Sequence, residues 1–177
     1  LGVHGKPVKS SRFFLGRIHD LNVERLEAYF GAGAKAYQHI DPGIEAIRKA
    51  WKKGGKEQVF FRKEIPEGWI DCEADLDQFG SFEEAYIRFM TDLTQQAIRS
   101  IQWIVGAADR TRHLYVSGGF SRNPIFRNLL CLAFPNKEVY TSEVDNASSL
   151  GAALVMADTI WKGASDHFRL RLTRVKA

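Results

Sequence analysis

Cysteine is nearly absent from this chain. The 177 residues hold only Cys72 and Cys131, with no ligand-like spacing to each other or to any histidine. A disulfide framework and a cysteine metal site are both excluded, which leaves two buried free thiols and a reducing, cytoplasmic compartment as the expectation. No apolar run approaches the roughly 20 residues of a membrane-spanning helix. The opening Leu1-Gly2-Val3-His4-Gly5 lacks the charged-then-apolar order of a signal peptide. It also lacks an initiating Met, so a piece of a longer protein is expected. There is no internal repeat and no low-complexity stretch. The histidines (His4, His19, His39, His113, His167) have no ligand spacing, so no protein-bound zinc is expected. The excess of charge of one sign is small too. The formal net charge is +4, and the tail from Lys162 to Ala177 carries all of it, with Lys162, Arg169, Arg171, Arg174 and Lys176 against Asp166. A solvated basic terminus is the reading, over a nucleic-acid arm, and no nucleic-acid or membrane partner is expected.

What is present belongs to a globular protein, with 45% hydrophobic and 26% charged residues and length for one well-buried domain. Ser81 followed by Glu84 is a capping box. Behind it Phe82, Tyr86, Phe89, Leu93, Ala97, Ile101 and Ile104 recur every three or four residues, which predicts a long core helix over 82–105 stopped by Gly106. The period then changes. Leu114, Tyr115 and Val116 predict a buried strand near 113–117, Asn123-Pro124 a cap and first turn for a helix over 124–133, residues 137–141 a second strand, and 147–161 a further helix. Such alternation belongs to an α/β sheet with helices covering its faces. Upstream, Val8 to Leu15 reads as a strand with Phe13 and Phe14 buried, and Asn22 starts a helix through Val23, Leu26 and Phe30 to Gly31. Asp41-Pro42 starts another helix reaching about Lys53. Residues 56–80 read as irregular, with Val59-Phe60-Phe61 the best strand candidate.

Two stretches could carry chemistry. In Val116-Ser117-Gly118-Gly119-Phe120-Ser121-Arg122-Asn123-Pro124 a strand ends, two glycines follow and a helix begins within four residues. Glycines admit positive φ and a close ligand, and a helix start offers free N–H groups to phosphate oxygens. The alternative is a tight turn with no ligand. Asn123 either reads a base edge or caps its helix. In the second stretch, Ala147 to Ala153, small residues suit a flat ligand or helix packing. Other patterns are set aside. Gly31-Ala32-Gly33-Ala34-Lys35 is a helix end rather than a phosphate loop. Ser117 is no nucleophile elbow, since Tyr115 stands where the first glycine belongs. Asp71, Glu73, Asp75 and Asp77 form a solvated acidic turn rather than a calcium loop.

Together, residues 114–161, "LYVSGGFSRNPIFRNLLCLAFPNKEVYTSEVDNASSLGAALVMADTIW", resemble the closing segment of the FGGY carbohydrate kinases, members of the actin-like ATPase superfamily. The resemblance rests on Gly118-Gly119, the helix from Pro124, Val139 and the Ser149–Ala153 opening, in the family's order and separation. Ser10 to Asp20 also resembles a stretch of deoxyketose-type members. The resemblance implies an actin-like (ribonuclease H-like) domain over 1–161, with a mixed central sheet flanked by helices, incomplete at its N-terminal edge, with an insertion near 56–80 and the basic tail 162–177. It implies a kinase parent, a transferase of carbohydrate metabolism that moves the γ-phosphate of ATP, with Mg²⁺ carried by the nucleotide, to a sugar hydroxyl. Gly118, Gly119, Phe120, Ser121 and Asn123 fall where the family contacts the nucleotide. The sugar and the catalytic Asp belong to the other domain of such kinases, and their Gly-Thr phosphate loop does not occur here, so this piece alone is expected to be inactive. Association with further copies is left open. The Ser81 helix lacks the family's Arg-Ala…Glu-Gly pattern and position 146 is Asn rather than an acid. Those departures motivate the alternative, a non-catalytic regulatory or scaffold module that kept the fold.

Overall fold

The computed structural model describes residues 7–54, 57–106, 109–142, 144, 147–160 and 171–176. Among them run helix α1 (Leu15–Phe30), α2 (Gly43–Gly54), α3 (Phe82–Ile104), strand β1 (His113–Val116), α4 (Pro124–Ala133), β2 (Glu138–Ser142), α5 (Ala147–Ile160) and β3 (Leu172–Arg174). Two short 3-10 turns, Ala36–His39 and Gly119–Arg122, lie after α1 and after β1. The chain is mixed α/β. β1 and β2 are parallel, paired from His113↔Glu138 to Val116↔Thr141, and are joined by a crossover through α4. β3 pairs antiparallel to β2 through Tyr140↔Arg174 and Ser142↔Leu172.

α3 is the organising helix. Its Ser81 cap accepts the Glu84 N–H at 3.2 Å, and the Glu84 carboxylate reaches back to the Gly80 N–H at 3.0 Å, one residue short of the reciprocal partner a capping box predicts. Phe89, Met90, Leu93 and Tyr86 on its buried face are wholly enclosed. α1, α2 and α4 all pack against it. Each such side chain contributes about 1.5–3 kcal/mol when fully removed from water.

Several sequence expectations fail, each for a visible reason. Val8 to Phe14 is no strand: it runs irregularly beside α3, where Ser11 and Ser100 hydroxyls meet at 2.6 Å, and Phe14 is exposed and stacked on Trp69. α1 begins at Leu15, seven residues before Asn22. Asn22 is inside the helix, where its Nδ2 donates to Ile18 and Trp69 carbonyls, both at 2.7 Å, and its Oδ1 accepts the Asp71 N–H at 3.0 Å. A residue read as a helix start is a stitch between segments.

Val59-Phe60-Phe61 is not a strand either. The Asp92 carboxylate takes the Val59 and Phe60 N–H groups at 2.9 Å each, and the Asp71 carboxylate takes that of Phe61. These donors are satisfied without a ladder, as buried donors must be. Phe61 has φ +56°, outside any strand. Asp71 is buried and also accepts from Glu73 and Ala74, so this acid is an internal brace rather than part of a solvated turn. Cys72 is exposed and Cys131 half-buried, against the expectation of two buried thiols.

The sheet end differs from expectation as well. β1 is half-open, with Tyr115 61% exposed, because the sheet face bearing His113, Tyr115 and Tyr140 carries no covering helix among the described residues. That face is laced instead by Tyr115–Tyr140 stacking and by Glu138 bonds to Arg174, His113 and the Tyr140 hydroxyl. Part of the basic tail forms β3: its side chains face solvent while its backbone is paired. α5 starts where expected, yet Val155 and Met156 are exposed and, among its described side chains, none is buried. Asn146, Trp161 and residues 162–170 lie outside the described residues. No helix among the described residues is long and apolar enough to cross a membrane.

Candidate functional site

The loop after β1 shapes itself from local chemistry. Gly118 has φ +75° and ψ −162°, backbone space that only glycine enters freely. Its carbonyl accepts both the Ser121 N–H at 3.0 Å and the Ser121 hydroxyl at 2.7 Å. The Asn123 N–H closes the 3-10 turn on the Phe120 carbonyl at 3.2 Å. Asn123 then caps α4, its Oδ1 accepting the Phe126 N–H at 3.0 Å, with Pro124 in the first turn where a missing N–H costs nothing. A Cβ at Gly119 would meet nothing within 4 Å.

This loop forms one wall of a cleft of about 530 Å³, a size suited to a small molecule. Gly119, Phe120, Arg122, Asn123 and Pro124 come from the loop and α4, Gly16, His19 and Asp20 from the first turns of α1, and Tyr37 and Gln38 from the 3-10 turn after α1. Of the five residues singled out in the sequence, Gly119, Phe120 and Asn123 line the cleft. Gly118 and Ser121 do not; they bond each other and fix the loop behind it.

The opposite wall was not legible in the sequence. His19 is buried, with Tyr37 and Phe120 edge-on to its ring at 4.9 and 5.4 Å. Its Nε2 is 3.2 Å from the Tyr86 hydroxyl, and its Nδ1 is 3.0 Å from Asp20 Oδ1. Tyr86 in turn receives a hydrogen bond from Asn123 Nδ2 at 2.8 Å. Asn123 therefore caps its helix with one end of the amide and engages Tyr86 with the other. Burial lowers the His19 pKa from its ordinary value, and the Asp20 carboxylate opposes that shift. At neutral pH the His19–Asp20 contact is a hydrogen bond from a neutral ring rather than an ion pair. Burial likewise pushes the Tyr86 hydroxyl well up. A signal for His19 did exist: with Asn22, Val23, Leu26 and Phe30 it falls on one face of a helix. Starting that helix at Asn22 cut it off.

Chemically, the cleft combines aromatic faces (Tyr37, Phe120), polar edges (Gln38, Asp20), a cation (Arg122) and a glycine wall. The N-terminus of α1 has no side-chain cap, and Gly16 in its first turn faces the same space. Free N–H groups at such a terminus favour anionic groups. The class defined is a mixed α/β protein with a polar-aromatic cleft at a strand-to-helix glycine loop. Comparison of the chain with protein families, with curated proteins and with solved structures returned no match.

Proposed function

We propose that the chain is the ATP-binding C-terminal half of a carbohydrate kinase, with the cleft beside Gly119 taking the adenosine side of the nucleotide. The observation that carries the reading is Gly119 itself. The glycine that the family resemblance assigns to the nucleotide lies on the cleft wall, where a side chain would enter open space rather than protein. Phe120 and Tyr37 offer flat apolar surface to a base, while Gln38 and Asp20 offer hydrogen-bonding edges. In this reading the fold is of the actin-like type, Mg²⁺ arrives with the phosphates, and the parent enzyme transfers the γ-phosphate to a sugar hydroxyl. Positioning and charge from both sides of the nucleotide drive such a transfer. One wall therefore binds without turning over. The expected affinity of this chain is near the millimolar range, about −4 kcal/mol.

Calorimetric titration with adenosine and with Mg-ATP tests the reading. Similar weak binding of both, abolished in Gly119→Val while the fold persists, supports it. In the full-length parent the same substitution raises the KM for ATP and leaves sugar binding unchanged. Adenosine affinity identical in wild type and Gly119→Val would reduce the loop to a turn.

A further inference from the structure

Nothing in the nucleotide reading uses His19 or Tyr86, yet the two are joined to the cleft wall by hydrogen bonds whose directions are forced in sequence. Asn123 Oδ1 accepts the Phe126 N–H, so the amide's nitrogen end faces Tyr86 and can only donate. The Tyr86 oxygen therefore accepts from Asn123, and the direction of its bond to His19 is set from the other end of the chain. The Asp20 carboxylate can only accept, so the neutral ring carries its proton on Nδ1 and its lone pair on Nε2, which takes the Tyr86 proton. The chain runs from solvent-exposed Asp20 through two buried rings to the amide that caps α4, and it crosses three helices.

We propose that His19 is a positioning residue whose neutral Nδ1–H form holds Asn123 through Tyr86, and that protonation of His19 releases Asn123 and the loop it anchors. A proton on Nε2 would turn it from acceptor to donor, so the Tyr86 hydroxyl proton would lose its acceptor. That proton would turn away from His19 toward Asn123 Nδ2, the other polar atom bonded to that oxygen and itself a donor, which displaces Asn123. Asn123 has the shortest route out, because its side chain borders the cleft. The groups that face His19 are Asp20 and Glu27 from α1, Tyr86 from α3, Tyr37 from the turn after α1, and Arg122 across the cleft. The two carboxylates favour the imidazolium. Burial outweighs them and keeps the ring neutral under ordinary conditions. Its use as a control of ligand binding rests on the nucleotide reading; the coupling itself does not.

The test is made first on the ligand-free chain. Nitrogen–proton NMR spectra are followed from about pH 8 to about pH 5, the range in which a histidine changes charge. The Asn123 side-chain NH₂ and the Phe126 amide are expected to shift along one curve that shares its midpoint with the His19 ring. In Tyr86→Phe the ring still titrates but those two signals no longer follow. In His19→Gln, whose side-chain oxygen can accept the Tyr86 proton and does not titrate, they keep their high-pH positions throughout. Signals that stay flat in the wild type, or that move equally in His19→Gln, overturn the coupling, and the glutamine variant decides this even if Tyr86→Phe fails to fold. Adenosine titration at both ends of the pH range then reads the consequence. Weaker binding at low pH in the wild type and constant binding in His19→Gln are expected. Constant binding in both would overturn the release. No adenosine binding at any pH would remove the nucleotide reading, while the spectra still decide whether His19 positions Asn123.

Discussion

Two irregular segments of this chain solve the same problem in opposite ways. Residues 57–80 leave regular structure in the middle of the protein, and the loop 117–123 leaves it at the edge of a cleft. The first is held largely from outside, with its own Asp71 carboxylate taking the Phe61 N–H. Asp92 from α3 receives the Val59 and Phe60 N–H groups, Asn22 from α1 donates to the Trp69 carbonyl, and Arg25 donates to carbonyls of Asp71, Cys72 and Ala74. Its aromatic pair Phe60 and Phe61 belongs to the core. The second is held mainly by itself, through Ser121 on the Gly118 carbonyl and Asn123 on Phe120 and Phe126, with one bond outward from Asn123 to Tyr86. A loop that satisfies its own donors and acceptors leaves its outer surface free for something else. A loop that needs its neighbours' side chains has been spent on the core.

Removing the outside support should break the first segment most severely. Asp92→Ala leaves two backbone N–H groups and the buried Arg88 guanidinium without their shared acceptor. A loss of about 3–5 kcal/mol is expected, the range for a buried pair stripped of one partner. Chemical denaturation measures it, and a loss under about 1 kcal/mol would mean that water replaces the carboxylate and that the segment is not braced from α3.

The self-held loop should be sensitive at one glycine and indifferent at the next. Gly118→Ala forces a side chain into backbone space that only glycine enters freely, at a cost of about 1–3 kcal/mol although no atom obstructs the Cβ. Thermal melting of the variant checks this. Gly119→Val, one residue on, meets no atom either and has no such backbone constraint, so its stability should stay within about 0.5 kcal/mol of wild type. A melting temperature that falls as far for Gly119→Val as for Gly118→Ala would erase the distinction between a glycine kept for its backbone and one kept for the space in front of it.

The chain order of residues decided the elements whose signals are local. Ser81 with Glu84 placed the start of α3, Asn123-Pro124 placed α4 at Pro124–Ala133, and Gly31, at φ +63°, ended α1. Caps, prolines and positive-φ glycines act within one turn of chain, so the sequence carries them whole. The cleft's glycine wall was legible for the same reason. Its other wall was not. Whether Asn22 starts a helix or ties Trp69 to Asp71, whether Phe60 and Phe61 join a ladder or lend their N–H groups to carboxylates, and whether His19 meets Tyr86 all depend on partners between 10 and 67 residues away. Those pairings exist only once α1 and α3 have packed. A buried polar group takes whichever partner the packing brings within about 3 Å, and no local pattern names it.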